Sequence, residues 1–393
     1  VLGPVIMLSV LFAVYQVTFT LGETPMGWLE SFFSWLGGTA DRLMPEGLLK
    51  SLIISGIIDG VGGVMSFVPL ILIIFMLIAF LEDSGYMARV AYMMDRVFRT
   101  FGLHGCSVMP FIISGGIGGG CAVPGVMATR TLRSRREKLA TLLTAPFMSC
   151  GAKLPVFILL AGVFFEEHRA LVLFLTTLTG WVAALIVARI LRSTLIPGPS
   201  TPFVMELPPY RLPTIKGLII HTWERTWQYI KKAGTVILAI SILLWAAMTF
   251  PQADTGNQED DLRATVAGQV GTSLEPVSEW AGFDWRVNIA LFGGVAAKEV
   301  IISTLGTAFS LADVEDDTSS LEERLRESED WNKCRAVSLI LFILLYAPCF
   351  VTVVAIKQEA GGWKWALFSI VFNTAFAFGL SVGVYQASSW MLC

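Results

Sequence analysis

Apolar positions along this chain come in long blocks rather than in the short alternations of strands or the one-sided stripes of soluble helices. Eight windows approach or exceed the roughly 20 residues needed to cross about 30 Å of hydrocarbon: Leu2–Leu21, Val61–Leu81, Leu139–Phe165, Ala170–Leu191, Thr235–Phe250, Val287–Leu311, Ala336–Ala355 and Trp365–Tyr385. The pattern predicts an all-α polytopic membrane protein with about eight embedded segments. Two apolar stretches are interrupted, by Gly118-Gly119-Gly120-Cys121-Ala122-Val123-Pro124 and by Met148-Ser149-Cys150-Gly151-Ala152-Lys153-Leu154-Pro155. Backbone freed from a helix cannot face lipid, so such breaks predict broken or re-entrant helices that line a cavity. Half-helices of this kind build substrate sites in transporters.

The polar stretches orient the blocks. Arg130, Arg133, Arg135, Arg136 and Lys138 form the densest basic cluster, and Arg189, Arg192, Arg211, Lys216, Arg225, Lys231 and Lys232 flank a Pro-rich connector, Pro197–Pro213. Both are predicted to be cytoplasmic. Trp28, Phe32, Phe33 and Trp35 suit a separate amphipathic helix at the outer interface, and the acidic stretch Gln252–Asp284 is expected to be an outer loop.

Composition agrees with an embedded chain and excludes other classes. Of 393 residues, 54% are hydrophobic and 15% charged, with a mean hydropathy of +0.68; a water-soluble domain of this size would not tolerate that surface. The net charge of −3 implies no polyanionic partner, and no basic run interleaved with aromatics marks a nucleic-acid surface. Cys106, Cys121, Cys150, Cys334, Cys349 and Cys393 show no C-x-x-C spacing, so no disulfide framework is expected. The chain opens at Val1 inside a span, and reads as a piece of something longer.

Met94–Leu103 is weakly similar to Leu274–Phe283. Each stretch follows a long span and precedes a Gly-rich apolar one, Cys106–Pro124 or Ile289–Leu305, and an odd number of crossings separates the copies. Two inverted repeats follow from that arrangement, a transporter signature. Whether 287–311 crosses or re-enters, and so on which side the C-terminus lies, stays open.

Cys121, Cys150 and Cys349 each stand beside a helix breaker, and thiolate sulfur suits late first-row and soft metals. Glu82 and Asp83 end an apolar span, while Lys298-Glu299 lies within Phe292–Leu305. An ionisable group at membrane depth is costly enough to mark function by default. The candidate metal-handling residues are therefore Cys121, Cys150, Cys349, Glu299, Glu82 and Asp83. His104 stands at the mouth of the first Gly-rich stretch as a ligand or a structural residue. No zincin pair or phosphate loop is present, so an enzyme is not expected.

The runs FLEDSGYMARVAYMMDR (Phe80–Arg96), GLHG (Gly102–Gly105), GCAVPGVMATRTL (Gly120–Leu132), APFMSCGAKLPV (Ala145–Val156), AKEVIISTLG (Ala297–Gly306) and YAPCFVTVVAIKQEAGGWKW (Tyr346–Trp365) resemble the membrane portion of the bacterial ferrous iron transport protein B family. Two positions depart from the family: Ala122 stands where Asn is usual, and Cys106 where Lys is common. The resemblance implies Fe²⁺ uptake across the bacterial cytoplasmic membrane through two gate-type inverted repeats. It further implies a cytosolic N-terminal GTPase domain, absent from this sequence, that would hold GTP and Mg²⁺. The partners it implies are small cytosolic accessory proteins and further copies of the same chain. Residues 1–60 then hold the first span and outer interfacial helix, 61–192 the first gate repeat, 193–234 the connector and an amphipathic helix, 235–311 the core of the second repeat, 312–334 an acidic loop and 335–393 the C-terminal spans. Carriage of a nucleoside or a different divalent metal, and a non-transporting assembly role, are the alternatives.

Overall fold

The computed structural model describes residues 2–45, 47–66, 68–116, 120–198, 209–251, 258–296, 298–308, 325–326 and 331–391. Every regular element among them is helical, with one isolated β-bridge. The principal helices are α1 (Leu2–Leu43), α2 (Val68–Asp83), α3 (Tyr86–Thr100), α4 (Val108–Phe111), α5 (Ala122–Ala128), α6 (Arg135–Thr144), α7 (Leu154–Phe164), α8 (Arg169–Ser193), α9 (Ile215–Thr249), α10 (Val266–Ser278), α11 (Trp285–Ala296), α12 (Val300–Ala308), α13 (Lys333–Leu345), α14 (Phe350–Ala360) and α15 (Trp363–Met391).

Local signals account for many of the boundaries. Ser134 accepts a hydrogen bond from Glu137 N, and the sequence Ser134-Arg135-Arg136-Glu137 is the S-x-x-E start that opens α6. Thr265 Oγ1 caps α10 through Gly268 N, and Asn332 Oδ1 caps α13 through Arg335 N. The similar stretches Met94–Leu103 and Leu274–Phe283 end in the same turn. Leu103 N bonds Phe98 O and Gly102 N bonds Arg99 O; correspondingly, Phe283 N bonds Ser278 O and Gly282 N bonds Glu279 O. Gly102 and Gly282 have φ of 77° and 80°, the left-handed position that such a C-terminal motif reserves for glycine. A side chain then closes each corner: Asp95 Oδ1 accepts from Gly105 N at 3.0 Å, and Glu275 Oε1 from Trp285 N at 3.3 Å.

Each corner leads into a helical hairpin. A Cβ on Gly125 would strike Ser114 Oγ and Pro110 O, so α5 folds back on the helical turns 108–116. In the second hairpin a Cβ on Gly293 would stand 3.2 Å from Thr304 Oγ1, with Gly294 against Ile301, so α12 folds back on α11. The stretch 287–308 therefore turns around rather than running straight. Small residues permit this approach, as they do generally where helices pack without a water-driven force.

One buried cluster joins both hairpins to α6–α8 and α13–α15. Phe98, Phe111 and Trp181 form a ring trio with centroids 5.6, 5.9 and 6.4 Å apart, and Phe147 meets Phe376 at 5.8 Å. Arg192, near the end of α8, donates to Gly102 O, whereas Gln386 of α15 donates to Trp280 O.

Several expectations from the apolar blocks are corrected. The span Leu2–Leu21 and the separate interfacial helix are one helix, α1, that runs through Pro25 with Trp28, Phe32 and Trp35 exposed. The connector's amphipathic helix and the span Thr235–Phe250 are likewise one helix, α9, whose exposed Ile215, Ile219, Trp223 and Trp227 lie on one face at four-residue spacing. Much of the stretch expected to be an outer acidic loop is helical, in Gln258–Ala264 and α10. Three described helical stretches, Glu166–Ser193, Lys333–Ala360 (α13 and α14 taken together across their break) and Trp363–Trp390, are long and apolar enough to cross a membrane, with α2 and α3 a fourth when taken as one span bent by 81°. Hydropathy windows sum straight across breaks, which is why they give more spans than helix length does. Residues 117–119, most of the acidic loop 312–334 and most of Pro197–Pro213 lie outside the described residues.

Candidate functional site

The two broken stretches meet. Gly120 and Cys150 form a short parallel bridge in which Gly151 N donates to Gly120 O at 2.8 Å, while Cys121 N donates to Ile113 O at 3.0 Å. Gly115, at φ 119°, lies against the Ser149 carbonyl, and no side chain would fit there. Trp181 Nε1 donates to Gly116 O at 2.5 Å and anchors the π-helical turn 112–116. Such turns recur at functional sites because they leave a helix locally misregistered.

Each of the three candidate cysteines is an extended residue immediately before a helical turn. Cys121 (φ −130°, ψ 134°) precedes α5, Cys150 (φ −74°, ψ 159°) precedes the 3₁₀ turn Gly151–Lys153, and Cys349 (φ −59°, ψ 152°) precedes α14. All three are free thiols. Cys121 stands within electrostatic reach of Cys150, Cys349 and Glu299, so segments far apart in the chain gather there. Cys349 Sγ lies 3.1 Å from Thr352 Oγ1. Glu299 sits in the tight turn between α11 and α12. Among the described residues, no three His, Cys, Asp or Glu side chains converge closely enough to hold a metal ion.

Two lysines complete the cluster. Lys153 Nζ donates to Pro146 O, Met148 O and Leu344 O at 3.1, 3.2 and 2.7 Å. Lys298 Nζ donates to Ala347 O at 2.7 Å and sits 3.0 Å from the centroid of the Tyr346 ring. Lys298 is marked in the sequence by its place beside Glu299, and Lys153 by being a lone lysine in an apolar run, itself a signal. The hydroxyls of Ser114, Ser149 and Tyr346 are buried here without a hydrogen-bond partner among the described residues.

The remaining candidates fall elsewhere or serve structure. Glu82 and Asp83 end α2 at the bend into α3, with Asp83 exposed, and α2 packs on α1 and α9. His104 Nδ1 accepts from Cys106 N and starts the turn 105–107. Cys334, buried at the start of α13, is disulfide-bonded, a single bond that leaves no spacing signature in the sequence. On another face of the bundle Glu359, only 6% exposed, takes Arg130 Nε at 2.6 Å and Lys138 Nζ at 3.1 Å. This pairing raises the Arg130 pKa above its ordinary value, chiefly through the hydrogen bond to Glu359. It ties the turn after α5 and the start of α6 to the end of α14, the helix that Cys349 opens.

Comparison with known proteins places this arrangement. A family profile described as Gate, nucleoside recognition, matches residues 64–164 and 230–363, and one described as ferrous iron transport protein B C terminus matches 173–225. The chain is 40% identical, over 98% of its length, to an Fe(2+) transport protein A/Fe(2+) transporter FeoB fusion protein of Porphyromonas gingivalis, of which it spans 50%. It is 39% identical to an Fe(2+) transporter FeoB of Campylobacter jejuni over 96% of its length, spanning 62% of that protein. With an Fe(2+) transporter FeoB of Leptospira interrogans it shares 35% identity over 99% of its length, spanning 58% of that protein. No solved structure matches. The chain belongs to the ferrous iron transport protein B family and corresponds to the Gate-bearing membrane portion of its members.

Proposed function

We propose that this chain forms the path by which Fe²⁺ crosses the bacterial cytoplasmic membrane, passing between Cys121, Cys150 and Cys349 with the Glu299 carboxylate beside them. The observation that carries the reading is the bridge that sets the Cys121 segment against Cys150, with α14, which Cys349 opens, packed on α5, which Cys121 opens. Sulfur suits Fe²⁺ better than it suits hard cations, and the unpartnered hydroxyls of Ser114, Ser149 and Tyr346 add oxygen nearby. Because the sulfurs do not converge as a ligand set here, loading requires a shift of the helix starts that carry them. Glu82 and Asp83, at the bend from α2 into α3, are proposed polar elements of the pathway away from the sulfur cluster.

The matching corners at Gly102 and Gly282, each feeding a hairpin, support two gate repeats inverted in a multi-pass bundle. The chain spans 50% to 62% of the length of the three relatives compared, which leaves room for a cytosolic domain that binds GTP and Mg²⁺ and drives or regulates the path. An accessory partner is supported by the Porphyromonas relative, whose name joins a transport protein A to the transporter; a homo-oligomer in the lipid bilayer completes the proposal.

The test is anaerobic Fe²⁺ uptake by full-length protein in proteoliposomes. Wild type is expected to accumulate Fe²⁺, and the Cys121→Ser/Cys150→Ser variant to lose about 10- to 100-fold of that rate, the scale on which changes around a metal site act. Equal uptake by both proteins sinks the thiol path. The Gate profile's description as nucleoside recognition makes uridine the control substrate, and uptake of uridine in place of Fe²⁺ would favour a nucleoside carrier.

A further inference from the structure

At and beyond the ends of α6 and α13, near the thiols, carbonyls stand without helical partners. Freed carbonyls are what potassium-type filters use to replace a hard cation's hydration shell. Here four of them, Pro146 O, Met148 O, Leu344 O and Ala347 O, already accept from Lys153 Nζ and Lys298 Nζ. Both lysines are 3% exposed, and both stand within electrostatic reach of Cys150 and Cys349. A hydroxyl or amide could satisfy the same oxygens without placing a charge at this depth, where an ammonium is costly. Their placement asks for a role that only a cation fills.

The geometry points to Lys153 and Lys298 as the specificity-determining residues of the path: they occupy the backbone oxygens that a hard cation would need and set positive charge beside the sulfurs. A cation then enters only if its bonds to sulfur offset that repulsion. Fe²⁺ gains enough from thiolate to do so, whereas Mg²⁺ and K⁺ gain little. The ammoniums are thus a filter that works by withholding oxygen. The inference rests on the reading of the cluster as an ion path.

Full-length protein in proteoliposomes, assayed for Fe²⁺, Mg²⁺ and K⁺ flux, tests it. Lys298→Met keeps the length of the side chain and removes the charge; the ratio of Mg²⁺ to Fe²⁺ flux is expected to rise about tenfold or more, with K⁺ leak following, because carbonyl oxygen becomes free to a hard ion. Lys153→Met is expected to act in the same direction, and Lys298→Arg to hold the wild-type ratio. A Lys298→Met protein that elutes as a folded species with the wild-type ratio overturns the inference. Wild-type protein that passes Mg²⁺ as readily as Fe²⁺ overturns it without any variant, so misfolding of the methionine proteins does not leave the matter undecided. Wild type that moves none of the three ions removes the transport reading and this inference with it.

Discussion

The two halves of the bundle share a local corner but not the chemistry that follows it. In the first half, a helix ends at Gly102, turns through the Asp95–Gly105 bond and enters a hairpin whose return arm starts at Cys121. In the second, a helix ends at Gly282, turns through the Glu275–Trp285 bond and enters a hairpin whose tip holds Lys298 and Glu299. The same position in the two hairpins is thus sulfur in one and charge in the other. The broken helices that follow differ too: the first places Cys150 and Lys153 around its break, the second Tyr346 and Cys349. The corner is shared, and the chemistry of the proposed ion path would come from what each half adds.

That comparison breaks most severely at Gly115. No equivalent of its positive φ occurs at the tip of the second hairpin among the described residues, and Gly115→Ala drives a Cβ into the Ser149 carbonyl. A loss of about 3 kcal/mol or more is expected from strain plus backbone collision, read as a fall in thermal unfolding temperature or failure to express. Gly293→Ala, whose Cβ would meet Thr304 Oγ1 at 3.2 Å, is expected to cost far less. Equal losses would mean that the hairpins are not packed as described.

Next in size is the division of labour among the sulfurs. Cys121→Ser and Cys349→Ser are each expected to slow Fe²⁺ uptake by about tenfold or more, because serine keeps the volume and removes the soft ligand. An effect at Cys121 alone would assign the sulfur chemistry to the first half.

Asp95→Ala and Glu275→Ala sharpen the scaffold comparison. Each removes a hydrogen bond across the same kind of corner, worth about 1 kcal/mol, and Asp95→Ala also removes the pairing with Arg99 Nε at 2.6 Å, so both are expected to lose stability in chemical or thermal unfolding, Asp95→Ala somewhat more. A large loss at one corner with none at the other would contradict structural equivalence. The smallest effect belongs to Arg130→Gln, since Arg130 is 57% exposed and solvent screens its pairing with Glu359; less than about 1 kcal/mol is expected, diminishing further in high salt.

What the sequence disclosed follows from which signals are local. The breaks were legible because glycine and proline in an apolar run have few structural explanations, and Cys121, Cys150 and Glu299 were read from residue type and depth. The ten residues from Met94 and from Leu274 mark the same local turn, with Gly102 and Gly282 both at its left-handed position. Helix ends were misjudged where hydropathy falls but the helix does not stop: at Gly22–Pro25, α1 continues, with Gly22 packed against Leu70. Likewise the polar half of α9 hid its continuity because a window average ignores the stripe Ile215, Ile219, Trp223, Trp227. Lys153 carries no ligand signature in the sequence, because its side chain donates to carbonyl oxygens rather than offering a lone pair to a metal. No pattern within one segment tells that Lys153 reaches Leu344 O, a contact between the two halves.

The account stands on sulfur at the meeting of the breaks, and iron K-edge X-ray absorption of full-length protein loaded anaerobically with Fe²⁺ addresses that directly. A shell of sulfur scatterers at about 2.3 Å, the usual length of a metal–thiolate bond, is expected in the wild type and should be lost in Cys121→Ser/Cys150→Ser. A first shell of oxygen and nitrogen alone, identical in both proteins, would contradict it.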